Sequence, residues 1–228
     1  MVRVLALVEG PTERSFGQRV LAPHLGALGV EFHPRVIGKP GRKGGVRAWD
    51  TAKREIVGLI RQEPGSIVTT MIDLYGLPAT WPGRQEARQK SLKNESAVDL
   101  IEQRLAEAIR EEFKESAIVP QFIPYLSQHE FEALLFSDPI ALAGVTQDVE
   151  HATHFRSIIA ECGSCEKIDD DPESAPSKRI LKIASGYDKT VDGIAAAERI
   201  GLTAIRQNCP HFHSWLDRLE SSGQIARL

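Results

Sequence analysis

Residues 2–8, VRVLALV, form a nearly unbroken apolar run rich in branched side chains that stops abruptly on Glu9-Gly10-Pro11. A run of this length without polar alternation reads as a strand buried on both faces, and the Gly-Pro pair ends it. Strands buried on both faces are usual in parallel sheets covered by helices, the arrangement that the alternation of elements farther along the chain also implies. Thr12 is placed to cap the helix that follows. Glu9 and Glu13 then fall at the strand's carboxyl end and in the first helical turn, beside the crevice where open α/β sheets bind ligands. Two hard oxygen donors there suit Mg²⁺ or Mn²⁺. Glu13 alone has an ordinary explanation, because the helix macrodipole favours an acid in the first turn. Glu9 does not: a carboxylate directly after a central strand must be desolvated, paired or bound to a cation.

The pattern continues as β-α-β-α. Residues 13–28 carry Phe16, Val20, Leu21, Leu25 and Leu28 at helical spacing, with Pro23 expected to distort the helix and Gly29 to end it. Strands are predicted over 30–37, 66–73 and, interrupted by Pro120 and Pro124, 118–126. Helices are predicted over 46–62 and 92–113, and a turn-rich loop over 74–84. His129-Glu130-Phe131-Glu132 opens a short helix with Phe131, Leu134, Leu135 and Phe136 on its apolar side. Beyond about residue 145 only helices and loops are predicted, with candidates at 180–185, 194–200 and 213–219. The reading is therefore an α/β core over residues 1–145, a mostly parallel sheet flanked by helices, with a helical C-terminal cap over 146–228.

Acids recur at the strand ends: Glu9 with Glu13, Asp73, and Glu130 with Glu132. Parallel strands bring their carboxyl ends to one sheet edge, so these groups are expected to share a crevice. Carboxylates gathered there repel one another and call for a divalent cation, and the resulting chemistry is phosphoryl transfer.

Four ordered segments, VEGPTE, Asp73-Leu74-Tyr75-Gly76-Leu77-Pro78, QHEFEALLFSDP and APSKRI, resemble the Toprim-fold proteins. They are most similar to an uncharacterised family of small bacterial Toprim-like proteins, itself similar to the nuclease half of the overcoming-lysogenization-defect ATPase-nucleases. The resemblance covers residues 2–183. It implies a metal-dependent nuclease acting on DNA or RNA in phage defence beside a partner ATPase. It makes Glu9, Glu13, Asp73 and Glu130 or Glu132 metal ligands, Glu9, Asp73, Glu130 and Lys178 catalytic, and Lys178 and Arg179 contacts to phosphate. Tyr75 stands where the Toprim pattern has its second Asp. Either Glu130 or Glu132 substitutes, or one metal suffices, or catalysis has been lost and the protein is a binding or regulatory subunit. Primase-like or phosphatase chemistry is the remaining alternative.

Other signals carry less. The basic, glycine-rich loop over 38–45, with Lys39, Arg42 and Lys43, is either a contact to a nucleic-acid backbone or a solvated loop, and it lacks the order of a P-loop. Without the resemblance, Lys178 and Arg179 are two solvated residues at a helix start. His151, His154, Cys162 and Cys165 have a spacing that a zinc site could share. The net charge of −3 excludes binding of nucleic acid by overall positive charge, though not by a local groove. Three cysteines are too few and odd in number for a secreted disulfide framework. With no apolar stretch of membrane-spanning length, the expectation is a cytoplasmic protein without membrane contact. Homo-oligomerisation is left open.

Overall fold

The computed structural model describes residues 1–38, 48–168 and 174–225. The chain divides into two compact units, Met1–Ser127 with Asp217–Leu228, and Gln128–Leu216. No helix among the described residues is long and apolar enough to cross a membrane.

The first unit is built on an all-parallel sheet. Its strands are β1 (Val2–Val8), β2 (Val30–Val36), β3 (Ile67–Asp73), β4 (Phe122–Ile123) and β5 (Leu126–Ser127), in the order β2-β1-β3-β4 with β5 also on β3. β3 is buried at every position and β1 from Val4 onward, as the unbroken apolar runs require of central strands. β2 alternates between buried and accessible positions and carries Pro34. Its place at the end of the strand order makes that tolerable, because an edge strand can spare an N–H.

Partners in a parallel register share a face. Leu5 pairs with Val68, so Leu5, Leu7, Val68 and Ile72 lie together; they form one core with Ile56 and Ile60 of α3 (Trp49–Gln62) and Val98, Ile101 and Leu105 of α5 (Asn94–Glu111). Phe32 and Pro34 pair with Val4 and Ala6 on the opposite face. There the helical run over 11–27 packs so closely on β2 that a Cβ at Gly17 would come within 2.9 Å of the Pro34 ring. This run is α1 (Pro11–Phe16), a π-helical segment over Gly17–Leu21, and α2 (Ala22–Ala27). The distortion expected from Pro23 is thus a π segment, in which the Ala22 N–H reaches back to Gly17 O. Gly29 ends the run with a φ of 85°.

The strand predicted over 118–126 is two short pieces, because Pro124 has no N–H to continue the ladder. Side chains of β3 bridge the gap. Thr69 Oγ1 donates to Ile123 O at 2.5 Å, while Thr70 Oγ1 both donates to Tyr125 O and accepts from Tyr125 N, each at 3.0 Å. The loop predicted over 74–84 is followed by a helix that was not expected, α4 (Arg84–Gln89). Only Ala87 of it is buried, and a forked pairing of Arg104 with Glu86 at 2.8 and 3.1 Å ties it to α5.

The second unit is helical. A 3₁₀ helix over Phe131–Ser137 has all seven residues buried, rather than the one-sided apolar face expected of it. Around it come α6 (Pro139–Val145), α7 (His151–Cys162), a 3₁₀ turn over Cys165–Lys167, α8 (Pro176–Ile183) and α9 (Asp192–Asn208), and the first part of α10 (Pro210–Ile225). The sequence reading placed no helix at α6 or α7. α9 is broken at Gly201, whose φ of 74° and ψ of 158° no helix contains. The C-terminal region is helical, as the absence of strand patterning beyond 145 predicts.

Thr70→Val keeps the branched shape but leaves the Tyr125 N–H and C=O without their partner. It is expected to cost about 1–3 kcal/mol in urea unfolding, with an unchanged dependence on denaturant. An unchanged midpoint would show that the threonine bridge is dispensable.

Candidate functional site

Glu9 follows β1, and its own N–H still bonds Met71 O at 3.1 Å. Its side chain then makes the next link to β3: Glu9 Oε2 accepts the Asp73 N–H at 3.0 Å. Two acids distant in sequence are thereby joined at the carboxyl ends of two adjacent parallel strands, as the strand-end reading predicts. Glu9 is half-buried and Asp73 is 9% exposed. Asp73 is held from its other side as well. It pairs in register with Ser127 of β5, and Leu74 N donates to Ser127 O at 3.0 Å.

Glu13 is buried in the first turn of α1. The residue before that helix is Gly10, with extended backbone, and the helix starts at Pro11; Thr12 lies inside the first turn rather than capping it. Pro at the first helical position, with its fixed φ and missing N–H, moves the boundary forward. Glu13 leans back over Gly10: a Cβ there would meet Glu13 Oε2 at 3.0 Å. An acid in the third helical position, close to the helix N-terminus, is also where the helix dipole favours one, the ordinary explanation for Glu13.

The remaining predicted residues belong to the second unit. Glu130 Oε2 accepts the Ser177 N–H at 3.0 Å and so satisfies the first turn of α8. Glu132 is fully buried, with Lys189 Nζ 2.8 Å from Oε2. Burial pushes its carboxyl up to about 7, against the pull of Lys189, and the nearby Glu130 adds to the rise. Arg179 donates from Nε to Ser174 O at 2.8 Å and faces Glu161 at 3.7 Å. Lys178 is exposed. Lys39, Arg42 and Lys43 lie outside the described residues.

Lys189, the counter-ion of Glu132, was not foreseen. Nothing in the local sequence Asp188-Lys189-Thr190 marks it, because the pairing arises only where the α8–α9 connection meets the buried 3₁₀ helix. Tyr187, in the same connection, covers Gly193, where a Cβ would approach the phenol oxygen to 2.8 Å. Of the zinc-like pattern, His151 is bonded through Nδ1 to Thr146 Oγ1 at 2.8 Å, and the Cys165 thiol interacts with Cys209 rather than with the histidines.

Among the described residues, no three of His, Cys, Asp and Glu are grouped so as to hold a metal ion by themselves. Glu9 and Asp73 nevertheless fit Mg²⁺ or Mn²⁺ in the mode in which one or two carboxylates hold the ion and waters and substrate phosphates complete its shell. Their donors are hard oxygens at two adjacent strand ends, with one carboxylate already oriented by a backbone N–H.

The unfolded Glu132 carboxyl has its ordinary value near 4.5 and the folded one about 7. The folded state therefore binds the proton more tightly, and stability falls as pH rises between those values, by about 3 kcal/mol in total. Glu132→Gln removes this dependence. Denaturant unfolding at pH 5 and pH 8 should show the variant gaining on the wild type as pH rises; parallel profiles would contradict the assignment.

A family model described as a domain of unknown function, DUF4276, matches residues 8–220. No functionally curated protein matches the chain. Among solved structures, the C-terminal region of the Xanthomonas campestris pv. campestris OLD protein aligns with all of this chain and 98% of its own, at 16% identity and a TM-score of 0.49.

Proposed function

The chain belongs to the DUF4276 family, and from that starting point we propose that it is a Mg²⁺- or Mn²⁺-dependent nuclease of Toprim type, cleaving phosphodiesters of DNA or RNA. The observation that carries the reading is the Glu9–Asp73 link, with the Asp73 N–H on Glu9 Oε2 at 3.0 Å. It sets two carboxylate residues side by side at the ligand-binding edge of a parallel sheet. The resemblance of the four ordered segments to Toprim proteins supports the same chemistry, as does their likeness to the nuclease half of ATPase-nucleases. Service in phage defence beside a partner ATPase belongs to the proposal on that resemblance alone.

A bound divalent ion would act as a Lewis acid on a phosphate oxygen and lower the pKa of its water. The chain's own residues have simpler tasks. Glu9 and Asp73 would hold the ion, the Asp73 N–H fixes the Glu9 carboxylate, and the end of β5 holds Asp73. Roles for Glu13 and Glu130 as further ligands belong to the proposal too, that of Glu130 in competition with the helix start it already serves. Lys178, exposed at the first turn of α8, is the basic residue available to a phosphate; Lys39, Arg42 and Lys43 are proposed to contact the nucleic-acid backbone.

A second reading, a binding or regulatory subunit without chemistry, draws on different observations. Tyr75, at the position of the second Toprim acid, is 47% exposed and offers a phenol instead of a carboxylate. Glu132, fully buried, already has a cation in Lys189.

In Mn²⁺ buffer with plasmid, single-stranded DNA and RNA, the wild type is expected to cleave at least one substrate. Glu9→Ala and Asp73→Ala should each lose about 100-fold or more. Lys178→Ala, at an exposed position, should lower cleavage without lowering the unfolding midpoint. Equal cleavage by all four proteins would sink the assignment. Mn²⁺ binding that depends on Glu9, without cleavage of any substrate, would favour the subunit reading.

A further inference from the structure

Ser127 is the last residue of β5 and is 4% exposed. Its Oγ is buried without a hydrogen-bond partner among the described residues. A buried hydroxyl left in that state is a cost to folding, and alanine would fill the same strand position without it. The fold itself therefore gives no reason for an oxygen here.

Its surroundings do. Ser127 is the register partner of Asp73 in a parallel pair, so the two side chains leave the same face of the sheet from strands about 4.8 Å apart. The Leu74 N–H on Ser127 O, at 3.0 Å, locks that register at the strand end. On the other side of Asp73, its N–H holds the Glu9 carboxylate at 3.0 Å. Glu9, Asp73 and Ser127 thus come from three neighbouring strand ends, with the Glu9 carboxylate on the Asp73 backbone and the Ser127 hydroxyl on the same sheet face as the Asp73 side chain. A hydroxyl is a hard neutral donor of the kind Mg²⁺ and Mn²⁺ accept beside carboxylates. It adds a ligand without adding to the repulsion between two acids.

We infer that Ser127 supplies a neutral oxygen ligand to the divalent cation held by Glu9 and Asp73. This rests on the metal-dependent reading above and deepens it. The hydroxyl raises the protein's oxygen donors at the site beyond two carboxylates, in a chain where Tyr75 supplies no second acid.

Mn²⁺ titration by calorimetry on the full chain, without nucleic acid, tests this independently of cleavage. Wild type should bind, Asp73→Ala should not, and Ser127→Ala should bind about tenfold more weakly. Ser127→Cys should lose Mn²⁺ affinity and gain Cd²⁺ affinity relative to the wild type, because a thiolate is a soft ligand; a merely structural serine would not produce that switch. Unfolding midpoints without metal establish that each variant is folded, and the Cys variant carries the test if the Ala variant is not. Mn²⁺ binding by Ser127→Ala equal to wild type, while Asp73→Ala fails to bind, overturns the role of Ser127 and leaves the metal site standing. Absence of Mn²⁺ binding by the wild type, or its persistence in both Glu9→Ala and Asp73→Ala, overturns the metal site and this inference with it.

Discussion

The pairing of β1 with β3 is the constraint on which the first unit depends. Both strands are buried, so every backbone group between them must find its partner in the ladder, and the register from Val4 with Ile67 to Val8 with Met71 meets that requirement. At the carboxyl end the backbone turns away through Gly10 and Pro11, and the side chain of Glu9 takes the Asp73 N–H. The acid that marks the candidate site thus also closes the sheet. A carboxylate used in this way is already desolvated in part and oriented, which are the conditions under which it holds a cation well.

The same economy recurs where β3 meets the proline-broken segment before β5. Thr69 and Thr70 would be unremarkable polar positions in a strand, yet their hydroxyls take over hydrogen bonding from a backbone that Pro124 interrupts. That holds the short β5 beside β3, and β5 brings Ser127 to Asp73. In the second unit, acids serve local structure. Glu130 satisfies the start of α8, and Glu166 accepts the N–H groups of His211 and Phe212 at the start of α10, at 3.0 and 2.9 Å. An acid near a helix start can therefore mean a cap as readily as a ligand, and only its partner distinguishes them.

Much of this was legible in the residues. The apolar run of β1, the run ending in Asp73 and the helical spacing of α3 and α5 each express a period that burial imposes, so they survive folding unchanged. The Glu9–Asp73 adjacency was legible too, because parallel strands must end on one edge. α4, α6 and α7 were not. α4 buries a single alanine and depends on Arg104 of another helix; α6 is a short, almost wholly apolar run in which no helical period shows, and α7 buries only Ala152, Phe155 and Ile158. The distortion at Pro23 was foreseen, but not its form as a π segment that begins at Gly17, where the helix lies closely on β2.

By itself the sequence determined an α/β chain with a parallel sheet, a helical C-terminal region, and acids at the ends of its strands, because these follow from local periodicity, turn residues and the direction of parallel strands. Only the tertiary structure decided what each acid does. Whether a carboxylate meets a backbone N–H, as Glu9 does, a helix start, as Glu130 does, or a lysine, as Glu132 does, depends on groups brought near by packing from distant parts of the chain. The burial of Ser127 beside Asp73 has the same origin, since a strand of two residues carries no sequence pattern of its own and exists only through its register with β3.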